Sequence, residues 1–308
     1  MATATYPGMR SPGAAKVRIL QDGAAVVSSA TQDMGGGTYT TISQVVSDVT
    51  GIPMERILPE LGDSHMPPAP VSGGSMTTAS VLPAVRQAAT EVLKKIVQVA
   101  IGDKKSPFHG KKEDELVAAN GVVSQKGSAP GSSISYSQLL AVTNQASVEG
   151  ESFTQPGQER EKYAFQSWGA EFVEVKVDPE IAKVTVSRVV SAFDVGRIIN
   201  RKTAQSQAYS GIIMGVGMAL MEHTVYDTRD GGIVSSNLAD YAVPVNADIH
   251  SIDVHFIDKP DPYIDAHIGA RGIGEITATG VAPAIANAIY HATGRRIREL
   301  PITPDKLL

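Results

Sequence analysis

The stretch FVEVKVDPEIAKVTV at 172–186 decides how this chain reads. Val173, Val175 and Val177 alternate with charged residues, Asp178-Pro179 interrupts the run, and Val184 and Val186 resume it. Apolar residues at every second position line one face of a pleated strand, so the pattern predicts a β-hairpin with one buried face. A polar loop at 194–200 follows, then a helix over about 203–223. Gly211 and Gly215 on that helix permit close packing. The same order occurs upstream. Strands at 16–20 and 24–30 flank Asp22-Gly23, a strong hairpin signal. A helix with Ile42, Val45, Val46 and Val49 on one stripe then stops at Gly51. Hairpin-then-helix twice, without a sequence repeat, predicts two layered subdomains of hairpins or mixed sheet packed with helices. Strands and helices do not alternate regularly, so the fold class is α+β. The expected boundaries are 1–165 and 166–308.

Within the first expected unit a second helix is expected over 77–101, with Val81, Val85, Ala88, Val92, Ile96 and Val99 on its apolar face. Pro83 predicts a kink or a late start there. Residues 102–165 are rich in Lys, Glu, Gly, Ser and Gln and read as a surface connection around a short helix at 136–142. A last helix at 281–293 ends at Gly294, with Pro301 beyond.

Composition narrows the function classes. The chain has 308 residues, 42% hydrophobic and 19% charged, with formal net charge −5. That suits a globular core and argues against a nucleic-acid footprint. With no cysteine, there is no disulfide, no thiolate nucleophile and no cysteine-held iron–sulfur cluster. The start, MATATYP, lacks the basic and apolar regions of a signal peptide. The apolar run at 212–221 is broken by Gly215 and Gly217 and is too short to span a bilayer, so no membrane insertion is expected.

Several segments offer polar groups. Gly35-Gly36-Gly37-Thr38 lies between a strand and a helix, where backbone N–H groups and the positive helix end favour an anion. A flexible turn explains it equally well, and neither the Walker lysine nor the dinucleotide fingerprint spacing is present. Ser72-Gly73-Gly74-Ser75 precedes the next helix in the same way, with Met76, Thr77 and Thr78 following; an N-cap is the plainer reading. Asp194-Val195-Gly196-Arg197 and Asn200, with Gln207 on the next helix, form a third cluster. Asn200 reads equally as a helix cap. Asp258, Asp261, Asp265 and His267 share a Pro-rich stretch that reads as a solvated loop rather than a metal loop. The seven histidines form no ligand-spaced pair. Gly272-Ile273-Gly274-Glu275 puts one carboxylate behind two glycines. It is a helix-capping turn or a general base.

Taken in order, QDMGGGTYT (32–40), LGDSHMPPAPVSGGS (61–75), FDVGRIIN (193–200), the Gln207 helix, NLADYAVPVNAD (237–248), GARGIGE (269–275) and the closing 286–308 resemble one family. They look like the C-terminal half of the molybdenum-cofactor-binding subunit of the xanthine dehydrogenase/aldehyde oxidase family. The resemblance implies a molybdenum centre on a molybdopterin dithiolene. There a glutamate deprotonates a metal-bound hydroxide, the oxygen attacks an aldehyde or heterocycle carbon, and hydride passes to a sulfido ligand. Glu275 matches that base. Gly35, Gly36, Gly37, Thr38, Gly74, Ser75, Met76, Thr77, Gln207 and Gly274 match positions near the cofactor. No protein side chain ligates the metal, since the pterin holds it. Arg10 is placed near substrate, with a solvated arginine as the alternative.

Many members carry Gly-Gln-Gly where this chain has Gly35-Gly36-Gly37, and Gln where it has Met214. The GxG-Thr-Tyr-Thr version of the loop, with PPAP and SGGS, looks more like the bacterial aldehyde-oxidising branch with the cytosine dinucleotide form of the cofactor. The implied reaction is aldehyde to carboxylic acid, with purine or N-heterocycle hydroxylation as the alternative. The family's N-terminal half is not among these residues. The chain is therefore expected to need it as a partner, to bind cofactor weakly or not at all alone, and to pass electrons to separate iron–sulfur and FAD subunits. A non-catalytic remnant or assembly fragment of the same fold is the rival reading. Location is expected to be cytoplasmic, or periplasmic if a partner carries an export signal.

Overall fold

The computed structural model describes residues 1–127 and 132–308. In chain order the strands and helices are β1 (Ala2–Pro7), β2 (Gly13–Leu20), β3 (Ala25–Ser29), α1 (Thr38–Thr50), β4 (Ile57–Leu61), α2 (Thr77–Gly102), β5 (Leu116–Ala119), β6 (Val122–Gln125), β7 (Ser133–Ser135), α3 (Tyr136–Val142), β8 (Ser147–Thr154), α4 (Glu159–Lys162), β9 (Gln166–Val177), β10 (Val184–Asp194), α5 (Arg201–Leu220), β11 (Ile252–Phe256), α6 (Ile276–Thr279) and α7 (Val281–Thr293). The class is α+β, as the mixed order of elements predicts. No helix among the described residues is long and apolar enough to cross a membrane.

The chain forms two compact units that are not contiguous in sequence. The first comprises residues 10–163 and 262–268; the second comprises 1–9, 164–261 and 269–308.

In the first unit, β2 and β3 pair antiparallel around the Asp22-Gly23 turn, and the sheet order is β4-β3-β2-β8. Val17, Ile19 and Val27 are fully buried on this sheet. Ile42 and Val46 of α1 and Val85, Ala88, Val92 and Ile96 of α2 are fully buried as well. Each buried Val or Ile side chain contributes about 1.5–3 kcal/mol. The α1 helix stops at Gly51, whose left-handed φ of 71° turns the chain away. Pro83 lies inside α2, which runs unbroken from Thr77, so the late start does not occur.

Within 102–165 the short helix expected at 136–142 is present as α3, but the surface connection expected around it is replaced by strands, residues 128–131 lying outside the described residues. Strands β5, β6 and β7 make a three-stranded antiparallel sheet. Strand β8 is a full sheet member, paired with β2 along its whole length. Its inward residues are Val148, Gly150 and Ser152. A Cβ on Gly150 would lie 2.5 Å from the Ala88 carbonyl oxygen of α2. The Ser152 hydroxyl donates to the Ala84 carbonyl at 2.6 Å. The helix sits so close that small residues replace the branched ones that mark a strand.

The second unit is built on the sheet β1-β9-β10-β11, with β9 and β10 antiparallel and β10 and β11 parallel. Its main cluster joins Val186 and Val189 of β10 to Ile212 and Val216 of α5 and to Val281, Ile285 and Ile289 of α7. A smaller cluster gathers Ala4, Phe193, Val195, Ala208 and Ile276.

Candidate functional site

The glycine loop ahead of α1 is organised by Asp33. Its carboxylate accepts from the backbone N–H of Gly35 at 2.8 Å, of Gly37 at 3.2 Å and of Tyr39 at 3.3 Å. Gly35 and Gly37 have φ of 95° and 81°, which glycine adopts without strain. Nothing lies within 4 Å of where a Cβ on Gly35 or Gly36 would be. The loop is therefore open on its outer face, but three of its amides already serve an anion supplied by the chain. Sequence reasoning missed this internal carboxylate, although an Asp two residues before a glycine run is the usual partner for such amides.

The second glycine loop is tied to the first. The Ser72 hydroxyl accepts from the Gln32 N–H at 3.1 Å and lies 3.4 Å from the Thr31 hydroxyl. Gly74 and Ser75 are both left-handed, at φ 61° and 53°. For serine this is a strained conformation of the kind that persists where surrounding structure demands it. Met76 is the N-cap of α2 and Thr77 its first residue, and no side chain caps that helix start. The Ser11 N–H donates to the Ser80 hydroxyl at 2.9 Å, so the start of β2 is pinned to the same end of α2. Two glycine-lined helix starts, tied together within one unit, fit a ligand rich in acceptor oxygens.

Arg10 is neither solvated nor free. Its side chain is 11% exposed, 3.4 Å from the Asp265 carboxylate, and donates to the Ile264 carbonyl. Burial lowers its pKa, with Asp265 pulling the other way. It fastens 262–268 to its unit. The Pro-rich acidic stretch holds no metal cluster among the described residues. Asp265 accepts from the N–H groups of His267 and Ile268, and Asp258 accepts from that of Ile198 at 2.9 Å.

In the second unit the segment at 194–197 is laced to 269–271. Arg197 N–H donates to the Gly269 carbonyl at 2.8 Å, and Arg271 N–H donates to the Val195 carbonyl at 2.8 Å. Gly196 has φ 74°, and a Cβ on it would lie 2.3 Å from the Gly269 carbonyl oxygen. The Arg271 guanidinium, 11% exposed, bridges Asp261 at 2.7 Å and Asp194. Sequence reasoning named Asp194 and Asp261 but not the arginine that joins them. Asn200 proves to be a cap: its side-chain oxygen accepts from the Thr203 N–H at 3.0 Å.

Glu275 follows directly. Its backbone is the N-cap of α6, with no side-chain capping bond, and its side chain is half-buried. Neither Gly272 nor Gly274 has positive φ, so these glycines do not serve a left-handed turn. The segment is instead held by its carbonyls. Gly272 accepts from the Ser167 hydroxyl at 3.2 Å and Gly274 from the Thr277 hydroxyl at 3.2 Å. Thr277 also reaches the Gln207 carbonyl at 3.4 Å, which sets the half-buried Gln207 beside this turn. The Tyr6 pKa is raised by burial and by the nearby charge of Glu275, so the two lie within electrostatic reach. A half-buried carboxylate on a braced turn can accept a proton from a ligand.

The molybdopterin cofactor-binding domain model matches residues 1–250, a span that holds both glycine loops and Gln207 but ends before Glu275. The chain is 36% identical over 294 residues to the aldehyde oxidoreductase molybdenum-binding subunit PaoC of Escherichia coli K12. That match covers 96% of this chain and 38% of PaoC. It is 28% identical over 313 residues to the putative xanthine dehydrogenase molybdenum-binding subunit XdhA of the same organism, covering 98% of this chain and 40% of XdhA. Among solved structures, CO dehydrogenase from Oligotropha carboxidovorans superposes with a TM-score of 0.83 at 20% identity, over 99% of this chain and 40% of that one. The chain thus spans about two fifths of the length of these relatives. It belongs to the molybdopterin cofactor-binding domain family, alongside the molybdenum-binding subunits of bacterial molybdenum hydroxylases.

Proposed function

We propose that this chain supplies cofactor-binding loops and the general base of a molybdenum hydroxylase that oxidises aldehydes to carboxylic acids. The observation that carries the reading is Glu275, half-buried on a turn braced by Ser167, Thr277 and the Arg271 ion pairs. The likeness to PaoC supports the choice of aldehydes.

The residues present suit a molybdopterin. Gly35 and Gly37, whose amides Asp33 holds, shape the first loop around Gly36 and Thr38, and Gly74, Ser75, Met76 and Thr77 form the second helix start, so that a phosphate-bearing ligand meets two positive helix ends. Gln207 and Gly274 stand beside the Glu275 turn. When bound, the cofactor supplies the two-electron oxidation of the substrate carbon. Glu275 takes the proton that must leave as the new carbon–oxygen bond forms. The cofactor is proposed in its cytosine dinucleotide form. The chain works with the rest of the large subunit and with iron–sulfur and FAD subunits that carry electrons away. Its compartment follows from those partners.

The test is reconstitution with the remaining part of a PaoC-like subunit and its partners. Glu275→Gln should retain molybdenum and nucleotide while aldehyde turnover falls about 10²- to 10⁴-fold, the span expected for a general base. Turnover at the wild-type rate would sink the assignment. Purine turnover exceeding aldehyde turnover would move the substrate class.

A further inference from the structure

Three side-chain oxygens in the second unit are buried without a hydrogen-bond partner and belong to two facing residues. They are both carboxyl oxygens of Glu171 and the hydroxyl of Ser191; the Gly280 amide lies near enough to act on Glu171 electrostatically but makes no hydrogen bond of ordinary distance and angle. Both residues are 0% exposed. Glu171 on β9 and Ser191 on β10 are directly opposite across the antiparallel ladder, so their side chains share one face of the sheet. That face is covered by α6 and α7. The Glu171 carboxyl lies against Gly280, the N-cap of α7, where a Cβ would meet its Cδ at 3.1 Å.

Among the described residues no cation makes an ion pair with Glu171. The buried residues packed there from β1, β10, α6 and α7 include Ala4, Val189, Phe193, Ile276 and Val281, all apolar. Of the titratable groups on the elements packed there, Tyr6 of β1 lies opposite Ser167 rather than Glu171 on the ladder, Glu275 stands at the far end of α6, Asp194 of β10 is paired with Arg271, and Tyr209 of α5 bonds Gln205. The cations Arg188 of β10, Arg201 and Lys202 of α5, and the Tyr290 and His291 side chains of α7 are exposed. An unpaired charge in such a site costs far more than a neutral acid, which can donate one hydrogen bond. Burial accordingly pushes the Glu171 carboxyl up to about 8, against a smaller opposing effect of the Gly280 amide.

The location ties this acid to the candidate base. Strand β9 touches the 272–280 segment at two points on one face. Ser167 holds the Gly272 carbonyl, and Glu171, four residues on, abuts Gly280. Glu275 lies between those two anchors.

We propose that Glu171, kept as an uncharged acid and hydrogen-bonded with Ser191 across one internal water, is a positioning residue for Glu275. It fixes the α6–α7 junction from beneath, and loss of its proton loosens that junction. The consequence for Glu275 rests on the function proposed above; the proton-dependent junction does not.

The folded chain holds a proton that the unfolded chain releases above an ordinary carboxylate pKa of 4.5. Stability therefore falls as pH rises from 4.5 to about 8, and this group adds no further change beyond. The purified wild-type chain and Glu171→Gln are compared by unfolding midpoint across that range. The advantage of the Gln variant should grow up to about pH 8 and then level. Over the window the wild-type folding constant should fall roughly a thousandfold relative to the variant. Exchange of the 276–281 amides, corrected for its intrinsic pH dependence, should quicken with pH in wild type only. Infrared spectra at pH 7 should show a protonated-carboxyl carbonyl band that Glu171→Gln removes and Ser191→Ala shifts. A pH-independent difference between the two proteins overturns the proposal. So does absence of that band from wild type, a measurement that needs no variant. In reconstituted enzyme, Glu171→Gln should abolish an alkaline fall in kcat, whereas Glu275→Gln is impaired at every pH. Failure of the second result alone indicts the base, not the junction.

Discussion

Gly211 of α5 and Thr277 of α6 are in closer register than any side chain on the helix would allow. A Cβ at Gly211 would stand 2.0 Å from the Thr277 hydroxyl and 2.9 Å from its carbonyl carbon. Gly211→Ala should therefore destabilise the chain by about 1–3 kcal/mol through overpacking. Helix propensity alone would predict a gain of about 1 kcal/mol, so the sign of the change decides which effect dominates. Urea unfolding of the single variant measures it. Adding Thr277→Ala removes the hydroxyl and should recover part, not all, of the loss, because the backbone clash remains.

Gly196→Ala meets two obstacles at once. The backbone is left-handed, and the new methyl would lie 2.3 Å from the Gly269 carbonyl oxygen. The pairing of 194–197 with 269–271 should open. We expect a loss of about 2–4 kcal/mol, above the usual range for a surface change. Faster amide exchange at Arg197 and Arg271, without equal loss at α7, would show that the damage is local.

Arg271 joins Asp194 and Asp261 inside the second unit. Removing it leaves two carboxylates without their cation in a site where it is 11% exposed. Arg271→Ala should cost about 3 kcal/mol, the low end for a broken buried ion pair, because Asp261 is 11% exposed whereas Asp194, at 41%, regains water. Arg271→Lys should recover only a fraction, since an ammonium cannot address both carboxylates with a planar fork. Unfolding midpoints of both variants at one salt concentration test this; a lysine variant as stable as wild type would deny the fork its role.

How far these features can be read in the sequence follows from their physics. The two hairpins are legible from their turns, and α1, α2 and α7 because each has one buried face and a regular apolar period, whereas α5 spreads its apolar residues around the helix and shows only as the apolar run at 212–221. Strand β8 is not, because the approach of α2 selects Gly150 and Ser152 where a pattern search expects branched residues. The β5–β6 turn does carry a signal: Asn120-Gly121, left-handed at both positions, is the preferred two-residue hairpin loop. At the candidate site, Glu275 stands out through its glycines. Arg271 directly precedes Gly272 at the start of that same run, yet its partners are 77 and 10 residues away. No local pattern encodes such a fork. Glu171 does follow from a local pattern: extending the alternation of Val173 and Val175 one step back puts it on the buried face.

Gly36 bears on the substrate class. Its backbone is not left-handed, and nothing lies within 4 Å of where a Cβ would stand, in contrast to Gly35 with φ 95°. Gly36→Gln should thus fold normally, with stability changed by no more than about 0.5 kcal/mol, whereas Gly35→Gln should lose about 1 kcal/mol or more to backbone strain. In reconstituted enzyme the added amide brings a hydrogen-bonding group to a loop that otherwise presents only backbone. If side-chain contact at this loop helps select the substrate, the ratio of kcat/KM for aldehydes to that for N-heterocycles should shift in Gly36→Gln while molybdenum content stays constant. An unchanged ratio in a fully loaded variant would place substrate selection elsewhere and leave the glycine loop a cofactor-binding role alone.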